Sequence, residues 1–320
     1  MATAVTITAT TKLQREYPAK VALVASHAAL SPEEAYWNSM LPNTPMPMAV
    51  KNSLQPELMG EKSTSVGVDV SAGKPHKGTS VHVKVPGISP FDYIYAATAD
   101  QLHDNPNVAL FFLEKDMKLG TKMTLHFTKG TNAATFLPRQ VSEKIPFSSD
   151  KLPEILNHFS VKPNSMEAEI MKKTIKECEE PEIKGEEKYC ATSLESMIDF
   201  STSMLGKTAH AVSTEVQKET PLQKYSISGV EKLAGGKAVV CHKQNYEYAV
   251  FYCHKTDTTK AYMVSMAGAD GTQAKAVAVC HTDTSAWNPK HLAFLVLKVK
   301  PGTVPICHFL PEDHVVWFSN

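Results

Sequence analysis

The sequence predicts an α+β protein: an extended N-terminal arm, helices in the middle of the chain, and an antiparallel, β-rich C-terminal end. Three observations carry this. Residues 164–178 and 192–205 repeat apolar side chains at helical spacing. Beyond position 220, short apolar or alternating runs recur between turns rich in Gly, Asp, Thr and Pro. Residues 31–60 hold five prolines, which disfavour continuous helix or sheet.

Composition bounds the function. The chain has 320 residues, 42% hydrophobic and 21% charged, enough to build a packed core. Lys+Arg and Asp+Glu are both 33, and without a basic excess no nucleic-acid partner is expected. No apolar run approaches the length of about 18 residues that crosses a bilayer, so no transmembrane segment is expected. The six cysteines are even in number and allow three bridges in an oxidising compartment.

In chain order, residues 1–30 read as a signal-like N-terminus. "KVALVASHAALSPEE" resembles the end of a secretory signal, but Lys12, Arg15 and Glu16 interrupt what precedes it, so the signal reads as truncated or altered. Residues 31–106 read as a Pro/Gly-rich leader arm. A short helix starts at Ser31, with Pro32 at its first position, and the Pro-rich remainder is extended. "VGVDV" and "VHVKV" alternate as loose strands. The main domain spans 107–320. Residues 107–127 read as strand, turn at Lys118–Gly120, and a second strand with Met123, Leu125 and Phe127 on one face. "SDKLPEILNHFS" reads as a helix. So does 164–178, where Asn164 and Glu167 form a capping box and Met166, Ile170, Met171 and Ile175 share a face. A third helix, 192–205, starts at Thr192 with Glu195. Then come strands: "KAVVCH", "YEYAVFYCH", "KAYMVSMAG", "AKAVAVCH", "HLAFLVLKV" and "VPICHF".

Four of these runs end on, or contain, the same dipeptide: Cys241-His242, Cys253-His254, Cys280-His281 and Cys307-His308. Six Cys and 13 His in 320 residues give fewer than one such pair by chance. Successive strand side chains point to opposite faces, so a Cys and the following His do not easily reach one ion. The gaps of ten, 25 and 25 residues also miss zinc-finger spacing. A division of labour fits instead: sulfurs pair on one face and staple strands, while four imidazoles converge on the other and form a candidate metal site. With the sulfurs bridged, the donors are all nitrogen, a set that favours Cu²⁺ by raw affinity, although spacing alone does not separate copper from zinc. Which cysteines pair stays open. Cys178 and Cys190 flank the charged loop "EEPEIKGEEKY", and a mutual bridge there would contribute about 3 kcal/mol. His291 and His314 are candidates to complete or order the metal site, whereas His82 and His103 read as surface or capping residues. No phosphate-cradling Gly motif and no G-x-S-x-G is present.

The spacing of the four pairs, the eight residues from His308 to Trp317 in "CHFLPEDHVVWFSN", the Phe111-Phe112 pair in "ALFFLEKDMKLG" and the two lone cysteines together resemble the BURP domain of plants. The resemblance covers about residues 107–320, and "EAYWNSMLPNTPMP" is similar to the leader of the unknown-seed-protein and dehydration-responsive subfamilies. It implies an antiparallel β-rich, disulfide-stapled domain with flanking helices, in a protein of the secretory pathway destined for vacuole or cell wall. Some members are autocatalytic peptide cyclases. The resemblance therefore implies two type II copper centres, with His242, His254, His281 and His308 as ligands and catalytic residues, and dioxygen as co-substrate. The reaction joins a Tyr oxygen or Trp nitrogen to an unactivated carbon of a peptide, in the same chain or a separate one. The alternative is a non-enzymatic secreted seed or cell-wall protein whose Cys-His strands are scaffold. This sequence departs from the cyclases at Gln55-Pro56, which "ELMGEKST" follows without an aromatic residue; the nearest aromatic clusters are Tyr36-Trp37 and residues 91–95.

Overall fold

The computed structural model describes residues 30–54, 111–127, 133–182, 184–235 and 237–319. Most of the signal-like stretch, the two alternating runs, Gln55-Pro56, His82, residues 91–95 and His103 lie outside the described residues. Among the described residues there are seven α-helices and twelve strands.

Helix α1 (Pro32–Met40) begins as its sequence dictates. Ser31 and Glu34 form a reciprocal capping box, and Pro32 occupies the first turn. The Pro-rich stretch, expected to be irregular, holds a second helix, α2 (Met48–Leu54). Strands β1 (Phe112–Leu113) and β2 (Lys122–Leu125) follow, then helices α3 (Arg139–Ser142), α4 (Leu152–His158) and α5 (Met166–Glu179). The cap of α5 is Ser165, whose hydroxyl accepts from the Ala168 amide, one residue later than expected. Asn164 instead takes a left-handed φ of 67°, which Asn tolerates better than most residues. Strand β3 (Glu186–Ala191) leads to α6 (Leu194–Leu205), which again starts one residue late, in a Ser193/Ser196 box. Gly206, at φ 86°, ends it where a side chain would be strained.

The remaining strands are β4 (His210–Val212), β5 (Glu215–Val216), β6 (Gln223–Gly235), β7 (Ala238–Lys243), β8 (Phe251–Thr256), β9 (Thr259–Gly268) and β10 (Gln273–His281), then β11 (Ile306–Phe309) and β12 (Val315–Phe318). Between β10 and β11 the expected strand "HLAFLVLKV" is instead helix α7 (Leu292–Leu297). A short apolar run carries no period that separates strand from buried helix. Here His291 caps the start and Lys298, left-handed, closes the end.

All pairings are antiparallel. One sheet runs β1-β11-β10-β9-β6-β2, with β5 added beside β10; the other runs β3-β8-β7-β12-β4. Three apolar layers result. Ala238, Val240, Val277, Val279, Leu310 and Val316 pack between the sheets. The outer face of the five-stranded sheet is covered by α6 and by α1 and α2, with Trp37 tilted against Trp317 at 5.4 Å between ring centroids. The outer face of the larger sheet is covered by Phe112, Met117, Met123 and Phe127. Residues 32–54 thus supply part of the domain's own core. Trp37 is 1% exposed and its indole N–H donates to the Thr44 carbonyl at 2.8 Å.

Candidate metal centre

Strand alternation sorts the four Cys-His pairs. Cys241 lies directly opposite Cys253 in the β7–β8 ladder, and Cys280 opposite Cys307 in β10–β11. Both opposed pairs are disulfides, as are Cys178 and Cys190. The sulfurs of each ladder sit in the outer cores. The residue after each cysteine must then point the other way, toward the facing sheet. His242 and His254 come from one sheet and His281 and His308 from the other, and Val240 and Val279, two positions before His242 and His281, lie in the layer between the sheets.

The four rings form a closed quadrilateral. Centroids are 5.3 Å apart for His242–His254, 6.3 Å for His254–His281, 5.6 Å for His281–His308 and 6.4 Å for His308–His242, with interplanar angles of 16–31°. The short sides lie within the disulfide-stapled strand pairs and the long sides cross between sheets. His314, preceding β12, joins with its Nδ1 3.0 Å from Nδ1 of His242.

Outer partners orient the rings. A neutral imidazole carries one N–H, and the other nitrogen keeps a lone pair. Nδ1 of His254 lies 2.9 Å from the Glu186 carboxylate. Nδ1 of His308 lies 3.4 Å from the Phe309 carbonyl. Carboxylate and carbonyl only accept, so each contact favours a ring proton on Nδ1 and a lone pair on Nε2. The Thr259 hydroxyl, 3.4 Å from Nδ1 of His281, serves either tautomer. This outer-partner pattern is how proteins aim metal-binding histidines. Nε2 of His242 and Nε2 of His254 face each other at 3.2 Å. Two nitrogens held about 2.0 Å from one tetrahedral ion stand about 3.3 Å apart, so this pair has ligand spacing. Among the described residues, no group of three or more His, Cys, Asp or Glu side chains is placed to hold a metal ion. The donor set, all imidazole with every sulfur bridged, suits Cu²⁺ or Zn²⁺.

All these histidines are buried, His308 completely. Burial, reinforced by the other imidazoles, holds His242 and His281 well below the usual histidine range. Burial also lowers His308 to about 3 and His291 to about 4, and it lowers His314 against the opposing pull of Asp313. His242, His281, His291, His308 and His314 are therefore neutral at physiological pH, the state in which imidazole binds metal.

His291 differs. Its Nδ1 accepts the Ala293 amide at 3.1 Å, which leaves its proton on Nε2; it caps α7 and has no lone pair to offer. One end of the layer is walled by aromatic residues. Phe111 lies edge-on to His291 and His308, and Trp287, half-buried, lies 4.9 Å from His281 and 4.8 Å from His291. Glu186, Trp287 and Phe111 were not singled out by sequence reasoning as parts of this site. A usable signal existed for Trp287, four residues before His291. Glu186 sits in a loop that reads as solvated.

A stapled two-sheet domain that presents paired histidines from each sheet across a shared layer is a histidine-cluster protein of the disulfide-bonded kind. Its family follows from comparison: the BURP domain matches residues 110–319, and the chain belongs to the BURP-domain family. It is 48% identical to "BURP domain protein RD22" of Arabidopsis thaliana, over 93% of this chain and 96% of that protein. It is 59% identical to "BURP domain-containing protein 3" of Oryza sativa subsp. japonica, over 75% of this chain but 57% of that protein. Identity to "Protein RAFTIN 1B" of Triticum aestivum is 35%, over 92% of each chain.

Proposed function

We propose that this chain is a copper-dependent, dioxygen-using peptide cyclase of the secretory pathway, with His242, His254, His281 and His308 holding the metal. The observation that carries the reading is the ligand-spaced Nε2 pair of His242 and His254, within a buried four-ring cluster braced by disulfides. Bound copper would supply one-electron redox chemistry with dioxygen. The chain's own contribution is to fix the imidazoles, since each pair is anchored by a bridge one residue away. Phe111 and Trp287 keep water from one side of the rings and offer aromatic surface to a Tyr or Trp of the substrate. In the crosslink a phenol oxygen or indole nitrogen bonds to carbon, each partner loses one hydrogen, and dioxygen takes up the two electrons and two protons.

The substrate is a Tyr- or Trp-bearing peptide, in the same chain or a separate one. Tyr36 and Trp37 are poor substrates: Trp37 is buried, and the Tyr36 hydroxyl donates to Asp199 at 2.5 Å. The second reading, a secreted seed or cell-wall scaffold, draws on the imidazoles' contacts with one another, which can serve as a self-contained polar core.

Mass spectrometry decides between them. Copper-loaded protein and oxygen, alone or with Tyr- and Trp-bearing peptides, should give loss of two hydrogens in the chain or in a peptide. Unchanged masses in both arms, at full copper occupancy, would favour the scaffold.

A further inference from the structure

The loop between Cys178 and Cys190 reads as charged and solvated, yet one of its carboxylates is inside the protein. Glu186 and Glu187 are adjacent on β3, and alternation sends them to opposite faces. Glu187 points out and pairs with Lys255 at 2.9 Å, its side chain 52% exposed. Glu186 points in, its side chain 9% exposed, with Oε1 2.9 Å from Nδ1 of His254. A carboxylate is not buried without a compensating partner. Lys188, directly opposite His254 in the β3–β8 ladder, feels the charge of Glu186, while its ammonium donates to the Glu177 carbonyl at 3.0 Å and lies over the Tyr252 ring. The Cys178–Cys190 bridge ties the strand bearing Glu186 to α5. Oε1 approaches the Nδ1 side of His254, across the ring from the Nε2 that faces His242, so the carboxylate is placed to orient the ring rather than to join a metal shell.

We propose that Glu186 is the positioning residue of the cluster: it keeps the ring proton of His254 on Nδ1 and so directs the Nε2 lone pair at His242, with the Cys178–Cys190 disulfide holding the strand that carries it. The consequence for copper rests on the reading of the cluster as a metal site; the consequence for the tautomer does not.

The test uses the full chain with Glu186→Ala, Glu186→Gln and, as a control for lost charge, Glu187→Ala. In metal-free protein, imidazole ¹⁵N shifts should show His254 protonated on Nδ1 in the wild type and in Glu187→Ala, and shifted toward the Nε2–H form in Glu186→Ala. Glu186→Gln retains an acceptor oxygen and should restore the wild-type tautomer, which also covers the case of a misfolded alanine variant. In copper titrations Glu186→Ala should bind about 10–100-fold more weakly, with Glu187→Ala unchanged. A wild-type tautomer in folded Glu186→Ala overturns the proposal. So does a Glu187→Ala variant that reproduces the Glu186→Ala changes. If wild-type protein binds no copper, the metal reading fails and the ¹⁵N shifts alone decide the role of Glu186.

Discussion

Acid should unfold the metal-free protein well before its carboxylates titrate. In the unfolded chain a histidine takes up a proton near pH 6.5, whereas burial holds His308 to about 3 and His291 to about 4. Between those limits the unfolded state binds protons that the folded state refuses, so stability is complete above pH 6.5 and falls as pH drops toward the folded values. At pH 4.5 the two residues together remove about 5 kcal/mol, and His242 and His281 add in the same direction. That is comparable with the whole stability of an ordinary domain. Carboxylates act later. Glu114 is raised by burial but lowered overall by Lys260 and Tyr262, and its loss belongs below the usual carboxylate range. Denaturant unfolding of chelator-stripped, disulfide-intact protein at pH 7.5, 6.0 and 4.5 measures the effect. The midpoint should fall mostly between the two lower values, and His308→Gln should remove about 3 kcal/mol of the pH dependence. A flat stability across this range would refute the account of His308, His291, His242 and His281 as buried neutral rings.

Three further outcomes are expected. Trp37→Ala empties the socket against Trp317 and should cost about 4 kcal/mol in equilibrium unfolding, although Trp37 precedes the matched domain by more than 70 residues. A loss below 1 kcal/mol would mean that the N-terminal helices are not part of the core. Replacing Cys280 and Cys307 by Ser opens a loop of 27 residues, which should cost about 3.5 kcal/mol and weaken copper binding, read by thermal unfolding and titration. His291→Gln should leave copper stoichiometry unchanged, because that ring is committed to capping α7.

The site was legible where strand alternation alone decides it. A dipeptide whose cysteines oppose each other must gather its histidines on the other face, and the quadrilateral of imidazoles is that rule applied twice. The helix starts at Ser165 and Ser193 were each displaced by one residue, because Asn164/Ser165 and Thr192/Ser193 offer adjacent capping side chains. "HLAFLVL" was misread because its period is silent and its cap is a histidine. Glu186 was hidden for another reason. Its burial depends on pairing between β3 and β8, more than 60 residues apart in the chain, and nothing local distinguishes it from exposed Glu187. Strand pairing also decides that β1 and β2, consecutive in the chain, join different partners, β11 and β6.

Copper content and electron paramagnetic resonance of the oxidised protein bear most directly on the central claim. Wild-type chain should bind Cu²⁺ with hyperfine structure from imidazole nitrogen, and His242→Ala or His254→Ala should each lose copper or alter that signature. Undiminished copper and an identical spectrum in every one of the four single histidine variants would place the metal elsewhere and contradict the assignment.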